Sequence, residues 1–198
     1  MIEFDHLSSD LPYEIFKKKY DQAIKEKQQN IEAISISSFN KEINEVDSRY
    51  VNLKFIKNDR FIFFSNYESP KAFAFSSFNQ ITALVYWSSI NVQIRMKAKI
   101  RKTSYEYNQK YFFDRSKEKN ALAISSRQSS LVDSYDQVKK NYNKSLKNDD
   151  LKRCPEYWGG YSFIPYYFEF WEGDKFRLNR RYVYEKKQDN WQHFLLQP

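Results

Sequence analysis

The feature that most constrains the fold of this chain is a two-residue alternation of apolar and polar side chains that begins at Ala33. Successive side chains of a β-strand point to opposite faces, so this period predicts strands with one buried face. The predicted strands cover residues 33–37, 48–56, 60–65, 81–87 and 90–100, then 161–171, 176–184 and 191–196 as a final meander. We therefore expect a mainly β fold, either a mostly antiparallel barrel or a sheet with helices packed against it.

Helical spacing is confined to short segments between these strands. After a short leader (1–10), apolar residues recur among lysines and predict an N-terminal helix over 11–29. Thr103 and Glu106 have the spacing of a capping box, which predicts a helix from there through Phe113. Further helices are expected over 69–77 and 132–142. With 198 residues and no internal repeat or linker, the chain is expected to form one domain, 1–198.

The composition excludes several functional classes. Three glycines are too few for the glycine-rich turns of dinucleotide-binding folds and P-loops. A single cysteine, Cys154, and two histidines argue against a disulfide framework and a metal site, so no metal is expected. The net charge of +8 favours anionic ligands, which include nucleic acid, acidic membranes and small phosphates. No signal-peptide pattern and no sufficiently apolar run is present, so a cytoplasmic protein is expected.

Tyr111, Arg115 and Lys119 lie four residues apart. If the helix persists through them, they present a phenol and two cations on one face, which could clamp a phosphate. A solvated basic face of a lysine-rich protein explains the same spacing and stays open.

Arg177, Asn179 and Arg181 alternate with apolar residues in the predicted strand 176–184, which places them on one face. Two guanidiniums so close repel each other unless an anion or an aromatic plane lies between them. A strand with one hydrated face is an equally good alternative.

A third cluster combines the strand from Arg49 to Lys54 with Ser65 and with Lys71, at the start of the short helix. Hydroxyls, free N–H groups at a helix start and a lysine suit a phosphate monoester, although a simple helix cap fits as well. Two candidate phosphate sites without a P-loop indicate two phosphorylated ligands, such as a cofactor and a substrate. Neither histidine has an evident serine or cysteine partner, so no nucleophile–base pair is predicted.

Separate motifs extend over nearly the whole chain, from about Leu11 to Pro198. They are Arg49-Tyr-Val-Asn-Leu-Lys54, Phe63-Phe-Ser-Asn-Tyr-Glu-Ser69, Gln93, Tyr111 to Arg115, Gln128-Ser129, Trp158-Gly-Gly-Tyr161, Glu169-Phe-Trp171 and Arg177-Leu-Asn-Arg-Arg181. In order and spacing they resemble the pyridoxamine 5′-phosphate oxidase family. The resemblance implies an FMN-binding split β-barrel, present as a homodimer with FMN at the subunit interface. It also implies oxidation of pyridoxamine or pyridoxine 5′-phosphate to pyridoxal 5′-phosphate by FMN, with dioxygen reduced to hydrogen peroxide.

The resemblance implies a role for each residue of two binding sites. FMN would be bound by Arg49, Val51, Leu53, Lys54, Phe64, Ser65, Lys71, Gln93, Gln128, Ser129, Trp171 and Arg181, some of them from the partner subunit. The substrate, a small phosphorylated pyridine, would be held by Lys54, Tyr111, Arg115, Lys119, Arg177 and Asn179, the last two being the implied catalytic residues. Neither nucleic acid nor a membrane is implied as a partner.

Three residues depart from the family pattern. Asn179 stands where the family has a histidine, Lys119 where it has a serine, and Pro70 where it has an arginine near the FMN phosphate. These departures keep two alternatives open. One is a split-barrel flavin oxidase that acts on another ring, as phenazine-forming relatives do, and the other is a non-catalytic barrel that binds flavin or nucleic acid.

Overall fold

The computed structural model describes all residues, 1–198. The strands are β1 (Glu3–Asp5), β2 (Ala33–Asn40), β3 (Glu45–Lys57), β4 (Arg60–Asn66), β5 (Gln80–Trp87), β6 (Val92–Lys102), β7 (Trp158–Glu172), β8 (Arg180–Lys187) and β9 (Asn190–Leu196). The α-helices are α1 (Leu11–Lys25), α2 (Pro70–Ser77), α3 (Tyr105–Asp114), α4 (Lys117–Ser125) and α5 (Tyr135–Asn148). None of the helices is both long and apolar enough to cross a membrane.

Six strands close into a barrel in the order β3-β2-β5-β6-β7-β4, because β4 pairs with both β7 and β3. Every pair in this ring is antiparallel. β1 adds one parallel pairing to β3, in which Glu3 lies beside Phe55. Closure leaves no free edge in the ring, which is how an antiparallel sheet of this size avoids exposed strand edges.

β7 is the strand at which the barrel splits. Its residues 158–163 pair with β4, whereas its residues 167–172 pair with β8. An irregular register against β6 between Lys97 and Ala98 lies near the point of this change. β8 and β9 then continue as an antiparallel ribbon beyond the ring. The expected fold class, a mainly β split barrel with packed helices, is confirmed.

Helix α1 supplies aromatic side chains to the main hydrophobic core. Phe16 is fully buried, with its ring centroid 5.1 Å from that of Phe61 and 5.4 Å from that of Trp87. Tyr13 and Tyr20 are buried on either side of it. The helix therefore packs one apolar face against the barrel, as its amphipathic spacing predicted.

Replacing Phe16 by alanine is expected to lower the free energy of unfolding by about 3–5 kcal/mol, because the barrel strands cannot collapse into the cavity left behind. Ile24 is on the same helix but largely exposed, so Ile24→Ala should cost less than about 0.5 kcal/mol. Urea denaturation followed by tryptophan fluorescence measures both values. Equal losses in the two variants would show that α1 does not pack against the barrel in this orientation.

Several predicted helix boundaries are wrong. Helix α1 ends at Lys25 instead of residue 29, because Lys27 has a positive φ of 55°, outside the right-handed helical region. The helix predicted from Thr103 has Ser104 as its N-cap, whose Oγ accepts a hydrogen bond from the N–H of Tyr107 at 3.3 Å. Helix α5 covers 135–148 instead of 132–142, and α4 was not predicted.

Two strand predictions are also wrong. The strand expected over 176–184 begins only at Arg180, because Arg177 has a φ of 65° and lies in the loop that follows β7. The leader contains a strand, β1, which sequence analysis missed because three residues are too few to show a period.

Candidate functional site

A cleft of about 1440 Å³ lies against the outer side of β3 and β4. Its other walls are β1, the start of α2, helix α3 and the turn into α4. Among the predicted site residues, those that line it are Arg49, Val51, Lys54, Phe64, Ser65, Lys71, Tyr111, Arg115, Lys119, Gln128 and Ser129. Single-ligand sites are typically about 300–1,000 Å³, so this cleft has room for two ligands side by side.

One end of the cleft is built around two cations, Arg49 and Lys71. Arg49 donates to the carbonyl oxygen of Ile36 at 3.2 Å and to Ser38 Oγ at 2.7 Å, and it pairs with Asp47 at 2.6 Å. Lys71 is buried and donates from Nζ to Ser69 Oγ at 3.0 Å. Its amine is therefore buried without a carboxylate of its own.

The electrostatics of this end favour an anion. Burial and, to a smaller extent, the nearby charge of Arg49 lower the pKa of Lys71 to about 8, and Asp47 opposes these two effects only in part. A buried ammonium beside a guanidinium is costly unless a negative ligand compensates it. We define Arg49, Lys71 and Ser69 as the first anion site.

Pro70 occupies the first helical position of α2. An N–H at this position would have no acceptor within the helix, so proline costs no hydrogen bond there. The N-cap residue Ser69 makes no side-chain capping bond, because its hydroxyl donates to the carbonyl oxygen of Asn66 at 2.8 Å. The N–H groups of Ala72 and Phe73 donate to the carbonyl oxygen of Ser69, so the N–H of Lys71 is the one left without an acceptor at this helix start, where it can meet a phosphate. Replacement of the family's arginine by Pro70 thus leaves Arg49 and Lys71 as the cations of this end.

Gln128 and Ser129 reach the cleft from the loop between α4 and α5. Ser65 Oγ donates to Gln128 Oε1 at 3.2 Å, and the N–H of Asn66 lies 3.4 Å from the same oxygen. Ser129 has a φ of 68°, a left-handed conformation that is uncommon outside glycine. The loop is thereby held against β4, and its two polar side chains extend the first anion site.

The other end of the cleft is a stack of rings capped by a guanidinium. Phe64 and Tyr111 stack with centroids 3.8 Å apart, and Phe64 stacks on Trp158 at 5.3 Å. The guanidinium of Arg115 lies 4.4 Å from the centroid of Trp158, within the range of a cation–π contact. Trp158 was not predicted as a site residue. The sequence signal that could have indicated it is a large aromatic residue followed by Gly159 and Gly160.

Arg115 has no acidic partner. Its Nη2 donates to the carbonyl oxygen of Lys119 at 3.4 Å, and its buried Nη1 has no hydrogen-bond partner at all. Burial lowers the pKa of Arg115, with opposing effects from Tyr111 and Cys154. A half-buried guanidinium whose buried Nη1 has an unused donor can bind an anionic ligand. We define Arg115, Tyr111 and Lys54 as the second anion site.

Tyr111, Arg115 and Lys119 do not lie on one continuous helix, so the condition for their sharing a helix face is not met. Helix α3 ends at Asp114, and Ser116 caps α4 by accepting from the N–H of Lys119 at 3.4 Å. Lys119 contacts Arg115 through its carbonyl oxygen, and its side chain is exposed. The three residues meet in the cleft because the chain turns at Arg115, not because they share one helix face.

Burial also keeps the thiol of Cys154, which lies next to this end of the cleft, protonated. Its Sγ donates to the carbonyl oxygen of Trp158 at 3.5 Å, and burial raises the pKa of the thiol to about 11. The neutral thiol is not a nucleophile at physiological pH.

Six predicted residues do not line the cleft. Leu53 is fully buried in the barrel core, so only its backbone can reach a ligand. Gln93, Trp171 and Arg181 are register neighbours across β6, β7 and β8.

Arg177 and Asn179 belong to the loop before β8, where Asn179 Oδ1 accepts from the N–H of Asp174 at 3.1 Å. The common strand face predicted for Arg177, Asn179 and Arg181 is wrong, since only Arg181 is in a strand.

The fold and the cleft define a class of protein, a split barrel with two anion sites in one cleft. Solved structures share the fold. The chain superposes with a TM-score of 0.89 on PhzG from Burkholderia lata in complex with tetrahydrophenazine-1-carboxylic acid, at 23% identity over 94% of this chain and 92% of that one. It superposes with a TM-score of 0.76 on a pyridoxamine 5′-phosphate oxidase-related, FMN-binding protein from Nostoc punctiforme, at 11% identity over 92% and 97% of the two chains.

Sequence comparison identifies the family. Residues 158–198 match the pyridoxine 5′-phosphate oxidase C-terminal dimerisation region. The chain is 32% identical to pyridoxine/pyridoxamine 5′-phosphate oxidase 1 of Hydrogenovibrio crunogenus, over 94% of this chain and 88% of the relative. It is also 32% identical to the pyridoxine/pyridoxamine 5′-phosphate oxidase of Coxiella burnetii, over 100% of both chains. The chain therefore belongs to the pyridoxine/pyridoxamine 5′-phosphate oxidase family of oxidoreductases, and the expected cofactor, FMN, is that of the family.

Proposed function

We propose that this protein oxidises pyridoxamine 5′-phosphate and pyridoxine 5′-phosphate to pyridoxal 5′-phosphate with FMN as cofactor, and that dioxygen is reduced to hydrogen peroxide. The observation that carries the proposal is the buried, unpaired Nη1 of Arg115 in the same cleft as the buried Lys71. Two separate cationic sites in one cleft suit two phosphorylated ligands. One is the cofactor and the other is the substrate.

The first anion site suits the phosphate of FMN. Arg49 and Lys71 supply positive charge, and Ser65, Gln128 and Ser129 offer polar groups to the ribityl chain. The strand β3 residues Val51 and Lys54 and the ring of Phe64 line the cleft between the two sites, where the isoalloxazine ring would lie. Bound FMN would supply the redox chemistry, taking two electrons from the substrate and passing them to dioxygen.

The second anion site fixes the substrate by its phosphate. Arg115 offers a free N–H, Tyr111 a hydroxyl and Lys54 an ammonium, while Lys119 adds a cation at the cleft surface. A dianion anchored at this end sets where the other end of the pyridine lies relative to the cofactor. The contribution of the protein is therefore orientation, which replaces a random encounter with a bound geometry.

A homodimer would complete the site. Gln93, Trp171 and Arg181 lie outside the cleft of their own chain, and the last two fall in the segment that matches the dimerisation region. We propose that these residues, with Arg177 and Asn179, close over FMN and substrate bound in the cleft of the partner. Residues 1–198 would act as one domain of this dimer.

A second candidate function keeps the flavin and changes the substrate. The fold similarity to PhzG favours it, as does Asn179 in place of the family's histidine. Against it, a guanidinium with a buried, unpaired Nη1 beside a tyrosine hydroxyl and a lysine suits a phosphate dianion better than the single negative charge of a phenazine carboxylate. A non-catalytic flavin or nucleic-acid binder is less well supported, because the family is one of oxidoreductases.

Peroxide release separates these functions. The purified protein is expected to be yellow, and FMN should raise its melting temperature because it binds the folded state. With FMN bound, pyridoxamine 5′-phosphate and pyridoxine 5′-phosphate should each yield one peroxide per pyridoxal 5′-phosphate formed.

Tetrahydrophenazine-1-carboxylic acid is the comparison substrate. Peroxide from this compound alone would establish the phenazine-type alternative. A colourless protein whose melting temperature does not respond to FMN would exclude both oxidases.

A further inference from the structure

Glu169 is a buried carboxylate on the outer face of β7. Its side chain is 4% exposed, although its strand neighbours Phe168 and Phe170 are the residues that face the barrel core. Three side chains donate hydrogen bonds to it: Arg181, Arg95 and Tyr167. A buried carboxylate on an outer face needs an explanation, because its desolvation is costly unless it is fully paired.

One oxygen of Glu169 holds Arg181 in one orientation. Arg181 Nε and Nη2 lie 2.9 and 2.8 Å from Glu169 Oε1. Arg181 Nη1 donates to the carbonyl oxygen of Gln197 at 3.1 Å. All three guanidinium nitrogens therefore have a fixed neighbour, which leaves two of the five N–H groups for a ligand.

The second oxygen of Glu169 is held from the opposite side. Arg95 lies directly across from Glu169 in the β6–β7 register and donates to Oε2, and Tyr167 OH donates to the same oxygen at 3.0 Å. Burial acts to raise the pKa of Glu169, but the hydrogen bonds from Arg95, Arg181 and Tyr167 outweigh it and leave the pKa below its usual value. The carboxylate stays ionised at neutral pH and cannot rotate away from Arg181.

This arrangement lies beside the row formed by Gln93, Trp171 and Arg181. Glu169 precedes Trp171 by two residues, so both side chains are on the outer face of β7. The row is the surface that the proposed function brings to the partner's cleft.

We propose that Glu169 is a positioning residue that holds the guanidinium of Arg181 in the orientation in which it meets the flavin bound in the partner's cleft. This inference rests on the proposed function, since it requires FMN at the dimer interface. Pre-orientation by a buried carboxylate lets Arg181 bind without losing side-chain entropy at that moment.

The test compares FMN with riboflavin, which lacks the phosphate, in fluorescence titrations of the apoprotein. Glu169→Gln is expected to weaken both ligands about equally, by roughly 10-fold or more, because a side-chain amide presents an N–H₂ group to one of its three donors. A change at the phosphate site would weaken FMN alone. Glu172→Gln is the matched control on the same strand, where Glu172 pairs with Lys19 at 2.6 Å, and it should leave both affinities within about twofold.

A double-mutant cycle shows whether Glu169 acts through Arg181. If it does, Glu169→Gln with Arg181→Ala should bind flavin no more weakly than Arg181→Ala alone. Additive losses, or wild-type affinities in Glu169→Gln, would overturn the proposal. Should Glu169→Gln fail to fold, Arg181→Lys keeps the charge but loses the two-nitrogen contact to Glu169, and unchanged riboflavin affinity in that variant would overturn it equally.

Failure of the proposed function has a different signature. If the chain is not a flavoprotein, the wild-type protein itself binds neither FMN nor riboflavin. If only the proposed substrate is wrong, wild-type flavin binding and its weakening by Glu169→Gln both remain. Sedimentation of each variant shows whether the dimer is retained, so that a loss of assembly is not read as a loss of orientation.

Discussion

Replacing Arg115 by alanine is expected to raise the KM for pyridoxamine 5′-phosphate about 100-fold while FMN stays bound. Hydrogen bonds to charged groups contribute about 1.5–3 kcal/mol each, and a 100-fold change corresponds to about 2.7 kcal/mol. The effect should be this large because Arg115 is half-buried, has no acidic partner and keeps an unused N–H on its buried Nη1. FMN should be retained because Arg49 and Lys71, at the other end of the cleft, are untouched.

Steady-state peroxide kinetics and an FMN titration measure the two effects separately. Lys117→Ala is the matched control, since Lys117 is an exposed cation at the start of α4 and does not line the cleft. Arg115→Lys keeps the charge but loses the planar contact with Trp158, so an intermediate KM is expected. An unchanged KM in Arg115→Ala would remove this residue from the phosphate site, and loss of FMN would show that the two anion sites are wrongly assigned.

Replacing Lys71 by methionine is expected to weaken FMN binding about 100-fold and, at the same time, to stabilise the protein without FMN. The ammonium is buried beside Arg49, and its pKa is lowered from 10.5 to about 8. Below pH 8 the charged form therefore costs about 1–3 kcal/mol in the folded state, which methionine removes. The variant binds FMN more weakly because it lacks a charge-assisted contact to the phosphate. It is more stable without FMN because it no longer buries an ammonium group.

Thermal denaturation with and without FMN measures both changes. Lys99→Met, on an exposed position of β6, should alter neither the melting temperature nor the FMN-dependent increase appreciably. A Lys71→Met protein that binds FMN as tightly as the wild type would refute the first anion site. Riboflavin affinity should be nearly the same in wild type and Lys71→Met, because riboflavin has no phosphate.

The same lysine predicts a pH dependence. Above pH 8 the free protein holds Lys71 neutral, so FMN binding must take up a proton and its affinity should fall by up to about tenfold per pH unit. The sign for stability is the opposite. Between pH 8 and 10.5 the unfolded chain binds more protons than the folded one, so the protein without FMN gains stability as the pH rises through this window. An FMN affinity that is flat between pH 7 and 9 would contradict the assignment.

Most strands were predictable because alternation is a local property. β3 and β6 show a period of two over many residues, and the structure contains both. The predictions that were wrong concern places where the backbone changes direction within a few residues. Arg177 has a positive φ, so the expected strand begins only at Arg180. Ser116 caps a second helix, α4, where the sequence spacing resembled a continuation of α3.

The first anion site was predictable for a similar reason. Lys71 follows the strand that contains Ser65 by only a few residues, and the pattern of hydroxyls and a helix start is readable along the chain. The contribution of Gln128 was readable only from family resemblance. Its contact with Ser65 spans 63 positions and depends on how the α4–α5 loop returns to β4.

The amino-acid sequence by itself determined the β architecture, the family and the identity of the cationic residues, because periodicity and motifs are properties of neighbouring positions. Only the tertiary structure decided which cations lack a counter-charge. Arg115 is unpaired whereas Arg181 is paired with Glu169, a difference that arises when β7 leaves β4 for β8 and carries one carboxylate to the outer face. Burial and pairing depend on that closure, because strand pairing brings residues that are distant in sequence together and removes the water that would otherwise weaken their Coulomb interaction.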